Sequence, residues 1–254
     1  MFGNKNMQEM MAKLQEMQGA VEDSKKRLET ICVKGDAFDG KVRFIMDGNR
    51  KLQELHIDDE IYSSTSKLVD ANSCYSSDQA IEIGKMLIDN NISHFEEPCP
   101  YWEPEETKKD TEALEIDVTG GEQDCDFRIW KDMIDRKIVN IFQPDVMYMG
   151  GLTRILKLAN IINDSGFKCT PHAANLSLVT VCTMHFLKAI PNAGKYLEYS
   201  IEGEDYYPWQ KELFSKHPFD IVDGNVEISD DPGWGVEINQ NWLETSDYKI
   251  SELD

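Results

Sequence analysis

The chain has 254 residues, 41% of them hydrophobic, with 26 Lys and Arg against 47 Asp and Glu, a formal net charge of −21. That length and apolar content suffice for one sizeable core or two smaller ones and exclude a chain too polar to fold. No apolar run approaches the ~20 residues of a membrane span and no signal peptide opens the chain, so a cytoplasmic location without a membrane partner is expected.

The opening stretch, residues 1–31, places Met7, Leu14, Val21 and Leu28 at one heptad position and Met10, Met17 and Ile31 at another, with Ser24 the one break. This predicts a helix with a long apolar seam, packed either on its own hairpin or on a second copy of the chain. Short strands follow: Val42, Phe44 and Met46 alternate with polar residues, and Asp47-Gly48 marks a hairpin turn. Residues 1–60 carry 10 basic and 12 acidic side chains, leaving 16 and 35 for residues 61–254. The second part therefore lacks the clustered Lys and Arg that phosphate contacts need. The cysteines at 32, 74, 99, 125, 169 and 182 form no CxxC pair and read as reduced thiols.

The MFGN start, the Met-, Gln- and Lys-rich helix, GDAFDGKVRFIMDGN and LHID give the first part a resemblance to the YbaB family of nucleoid-associated proteins. The resemblance implies a small dimerising module, here a helix plus β-hairpin over residues 1–62, truncated before the family's final helix. DNA is then a possible but weak partner through residues 1–60, with nucleoid association and a homo-oligomer as corollaries.

From about residue 66 short apolar runs alternate with amphipathic helical stretches. KLVDA, SHFEEP, EIDVTGGE, NIFQPD, KCTPH and YLEYS read as strands, with helices such as SSDQAIEIGKMLIDNN and GGLTRILKLANIINDSG between them. This βα repetition predicts an α/β fold, an incomplete (β/α) TIM-type barrel of about six units over residues 63–254. Each run ends in an ionisable residue: Asp70, Glu96, Glu122, Asp145, His172 and Glu198, at spacings of 26, 26, 23, 27 and 26. At that period all six point into one ring at the C-terminal ends of the strands, where barrel active sites sit. Asp70, Glu96 and Glu122, three oxygen donors on adjacent strands, suit a hard cation such as Mg²⁺, whereas zinc recruits His or Cys. Asp145 is placed to orient His172 as a general base, and Glu198 to act as an acid toward developing negative charge. Glu97 is expected to pair beside that set.

VDAN, FEEP, GGE, QPDVMYMGG, PHAAN, YLEYS and DIVDGNVEISDDPGWGVEI, in this order over residues 66–245, resemble the mandelate racemase and muconate lactonizing branch of the enolase superfamily. The resemblance implies Mg²⁺ on Asp70, Glu96 and Glu122, a His172–Asp145 dyad that moves the α-proton of a carboxylate, and Glu198 as electrophilic acid. It implies a hydroxy-acid or acid-sugar substrate, dehydrated or epimerised. The family's capping domain and the Lys-x-Lys of its second barrel strand have no counterpart here, so low turnover is expected of the chain as it stands. The competing expectations are a DNA-binding or dimerising module carried by residues 1–62, and an inactive chimeric fragment.

Overall fold

The computed structural model describes residues 19–37, 40, 42–49, 51–57, 68–173, 175–200, 207, 209–210 and 212–247. It divides into two compact units between Thr65 and Ser66.

In the first unit a helix over residues 19–29 (α1) leads into an antiparallel meander of β1 (Cys32–Ala37), β2 (Val42–Asp47) and β3 (Leu52–Ile57). The expected hairpin is thus three strands, because Cys32–Ala37 pairs residue for residue along β2. Gly35 lies opposite Phe44, and a Cβ there would fall 2.3 Å from the Phe44 ring, so only glycine lets the aromatic lie across its neighbour strand. The β2–β3 turn is shaped by Asp47, whose Oδ1 accepts the N–H groups of Asn49 (2.9 Å) and Lys51 (3.0 Å). The Gly48 N–H donates to the Leu28 carbonyl (2.8 Å), tying α1 to that turn. Of the heptad seam, Met7, Met10, Leu14 and Met17 lie outside the described residues; Leu28 is half-buried, while Val21 and Ile31 are 55% and 48% exposed.

The second unit alternates β4 (Leu68–Asp70), α2 (Ser77–Asp89), β5 (His94–Glu96), α3 (Pro104–Ala113), β6 (Asp117–Gly120), α4 (Phe127–Arg136), β7 (Ile141–Phe142), α5 (Leu152–Asp164), β8 (Lys168–Cys169) and α6 (Leu178–Ala189). Strands β4 to β8 form one parallel sheet in chain order. Phe95, Val118, Phe142 and Cys169 on consecutive strands are fully buried, as are Ala80, Leu87, Trp130, Ile155 and Leu158 on the helices. Each large apolar side chain so buried is worth ~1.5–3 kcal/mol. Because side chains alternate along a strand, committing Phe95 to this core turns Glu96 to the other face. Asp126 and Ser177 start α4 and α6 by accepting the N–H groups of Arg128 and Val179.

Asp110 of α3 is completely buried and accepts the Ser77 hydroxyl (2.6 Å) and the Cys99 thiol (3.0 Å), joining α2, α3 and the chain after β5. Asp110→Ala is expected to lower unfolding free energy by about 2–4 kcal/mol in urea titration, since it strands two buried donors and leaves a cavity.

The sixth expected strand does not form: residues 196–200 carry no strand, and Ala193 makes a single parallel bridge to Cys169. Gly194 donates to the Cys169 carbonyl (2.7 Å) and lies so close to Thr170 that a Cβ would sit 1.8 Å from its Oγ1, so only glycine allows this approach. Beyond it, β9 (Ile221–Val222) and β10 (Asn225–Val226) pair as a hairpin across Asp223-Gly224, both at positive φ, before α7 (Gln240–Thr245). Phe214 and Phe219 join Leu176, Val181 and Met184 in a second cluster against α6. Among the described residues no helix is long and apolar enough to cross a membrane.

Candidate active site

Asp70 and Glu96 end adjacent strands as register partners. Glu122 follows the Gly120-Gly121 turn; Gly121 sits at φ +113°, and a Cβ there would fall 2.5 Å from the buried Trp130 ring. Only glycine therefore lets the chain bend over Trp130 and carry Glu122 to the rim. Asp145 and His172 face each other as an isolated parallel bridge beyond β7 and β8. Asp145 is held by the N–H groups of Met147 (2.6 Å) and Tyr148 (2.8 Å) on Oδ1, which leaves Oδ2 to meet His172 Nδ1 at 2.8 Å. The Tyr148 ring stacks on the imidazole, centroids 6.3 Å apart. His172 Nε2 lies 3.0 Å from Glu122 Oε2, and Glu198 Oε2 accepts the Ala173 N–H (2.7 Å). All six residues thus meet, although Glu198 arrives on irregular chain and not at a strand end.

So many acids in one buried place repel one another. Burial, followed by the charges of Glu198 and Asp70, pushes the Glu96 carboxyl up to about 9. Burial raises Glu122 to about 7 although the nearby His172 pulls it down, and burial also raises Glu198. Asp70 keeps solvent contact, yet desolvation by the groups around it raises its carboxyl against the 2.7 Å N–H of Asn72. Burial opposes charging of His172, but the hydrogen bond to Asp145 and the charges of Glu198 and Glu122 overcome it, lifting the imidazole to about 9.

Two observations bear on a metal. Glu96 is 1% exposed, and neither carboxylate oxygen has a hydrogen-bond partner among the described residues. The Gln143 amide stands near enough to favour the ionised form, but without hydrogen-bond geometry. A buried carboxylate so left is costly unless a cation meets it. Against this, no group of three or more His, Cys, Asp and Glu among the described residues is assembled to hold a metal ion. Of the expected trio, Glu122 is engaged by His172 Nε2 at 3.0 Å and accepts the Gln123 amide at 2.8 Å. The donor set, all oxygen and under mutual repulsion, fits a hard divalent cation once Glu122 leaves His172.

Glu97 is held at φ +37°, turned from Glu96 toward Ser73, whose hydroxyl it accepts at 3.0 Å. Gln143, Thr119 and Thr170, which the pattern of strand ends does not mark, are buried with polar atoms lacking partners among the described residues. Gln143 was reachable, since it stands two residues before Asp145 in QPD. Arg154 was not: it donates to the carbonyls of Met149 (2.5 Å) and Cys125 (2.9 Å), fastening the loop after Asp145 to the loop after Glu122.

A model of the family described as enolase C-terminal domain-like matches residues 32–242. Arabinonate dehydratase of Saccharolobus solfataricus is 26% identical over 181 residues, 71% of this chain and 46% of that protein. The crystal structure of a candidate racemase from Roseobacter denitrificans aligns with a TM-score of 0.71 at 59% identity, covering 73% of this chain and 51% of that one. A mandelate racemase/muconate lactonizing protein from Paracoccus denitrificans PD1222, complexed with magnesium, aligns at a TM-score of 0.66 and 28% identity, over 74% of this chain and 49% of that one. The chain spans about half the length of the curated relatives it matches.

Proposed function

The chain belongs to the enolase C-terminal domain-like family, and from that premise we propose that it abstracts the α-proton of a hydroxy-carboxylate, an acid sugar, to dehydrate or epimerise it. The observation that carries this reading is His172, bonded through Nδ1 to Asp145 and turned through Nε2 toward the ring of acids, where it meets Glu122. Asp145 fixes the tautomer and keeps the imidazole basic, so that Nε2 receives the proton. Asp70, Glu96 and Glu122 would hold Mg²⁺, which supplies a Lewis acid for the charge that develops on the substrate carboxylate. Glu198, whose carboxyl burial raises, is the group that would donate toward that charge. Glu122, as a ligand of that cation, would have to part from His172 Nε2, which it meets at 3.0 Å, for the base to accept a proton. Racemisation and dehydration share this first step.

The test is a Mg²⁺ titration by calorimetry followed by a dehydration screen across aldonates and aldarates. Binding heat with Asp70→Asn at least tenfold weaker supports the reading; no heat from the unaltered chain would place it as an inactive fragment.

A second role is proposed for residues 1–62, a YbaB-like module that pairs two chains and touches DNA weakly. It is supported by Val21, Ile31 and Val33, which expose 55%, 48% and 49% of their surface in the first unit. Val21→Lys is then expected to lower the mass in light scattering, and an unchanged mass would count against self-association through this face.

A further inference from the structure

A cavity of ≈ 750 Å³ opens between α3 and α4, on the side of the sheet toward which Glu97 and not Glu96 is turned. We propose that it binds a compact organic ammonium, a protonated amine carried on a flat apolar body. The apolar body has a matching wall. Tyr101 and Trp102 stand edge to face with centroids 4.9 Å apart and remain 44% and 64% exposed, and Ile129 opposite them is 47% exposed, over a floor of Met133 and Ile138. Two aromatics and a branched aliphatic left to water around one concavity are what a ligand of this shape would cover.

The charge follows from the lining. Among the described residues, Glu97, Asp124, Asp126 and Asp132 face the cavity with one cation, Arg128, whose guanidinium is already paired with Asp126 at 2.8 Å. Within this set Glu97 is singular. It is 5% exposed, its Oε2 accepts the Ser73 hydroxyl, and its Oε1 is buried with no partner among the described residues. Its Cγ lies 3.5 Å from where a Cβ on Gly120, itself part of the cavity wall, would sit. A buried carboxylate oxygen without a donor is costly, and an ammonium group supplies the donor and the charge together. The aromatic faces at the rim add cation–π attraction.

The experiment uses the full chain and three probes of one shape: 2-phenylethylammonium, 2-phenylethanol and phenylacetate, followed by calorimetry and ligand-observed NMR at pH 7. The ammonium is expected to bind at least tenfold more tightly than the alcohol, with phenylacetate weakest, and Glu97→Gln to remove most of that preference. Trp102→Ala, a surface change that leaves the fold intact, is expected to weaken all three probes while the Mg²⁺ isotherm stays as it was. Equal binding of the three probes, or an ammonium affinity indifferent to both substitutions in variants whose circular dichroism matches the parent, would overturn the proposal.

Discussion

Glu96→Gln is expected to stabilise the cation-free chain and, in the same molecule, to abolish its response to Mg²⁺. The folded state raises the Glu96 carboxyl from 4.5 to about 9, so it binds that proton more firmly than the unfolded chain does. The stability linked to this group is fully present below pH 4.5 and is lost as pH rises through about 9. The variant's advantage is therefore near zero at pH 4.5 and grows toward pH 9, reaching on the order of a few kcal/mol once the shift is shared among the coupled carboxyls. Wild-type chain should gain ~2.7 kcal/mol from Mg²⁺ at a hundred times its dissociation constant, and the variant nothing. Thermal unfolding at pH 5, 7 and 9, with and without MgCl₂, reads both effects. A variant less stable than wild type at pH 9, or one still stabilised by Mg²⁺, would remove Glu96 from the metal set. Glu97→Gln should reduce Mg²⁺ affinity far less, because its carboxylate is turned to Ser73.

His172→Asn should reduce the exchange of a substrate α-proton with solvent deuterium by about 10²–10⁴, the usual worth of a positioned general base, while Mg²⁺ binding persists. The base must be unprotonated to act, so exchange rises with pH through the His172 pKa. That value is about 9 in the cation-free chain because Asp145 and the charges of Glu198 and Glu122 favour imidazolium. A cation drawing Glu122 away neutralises part of this field, and the rising limb should move to lower pH as Mg²⁺ is added. Proton NMR of the imidazole and the rate profile should shift together. Exchange that survives in the asparagine variant would assign the base elsewhere.

Much of the second unit was legible because two periods coincide in it. The βα repeat of about 26 residues put Asp70, Glu96 and Glu122 at successive strand ends, and alternation along HFEE decided that Phe95 and Glu96 would part company. The pairing of Asp145 with His172 followed from the same spacing. Residue type then narrowed the chemistry, since three carboxylates and one imidazole leave few alternatives. The number of strands was not legible: YLEYS has a strand's composition, yet pairing with Cys169 stops at the single bridge to Ala193, and a strand's composition does not decide whether a neighbour strand lies within hydrogen-bonding reach. Nor could the sequence decide where Glu122 points. A carboxylate raised to about 7 between an imidazole and two other acids takes the partner that neutralises it best, and that choice rests on distances of about 3 Å set by Gly121, Trp130 and the Arg154 clamp. The sequence by itself determined which groups meet, through periodicity and alternation; which of them pair was decided only by the tertiary structure, because charge interactions in a buried site depend on ångström separations that no spacing along the chain encodes.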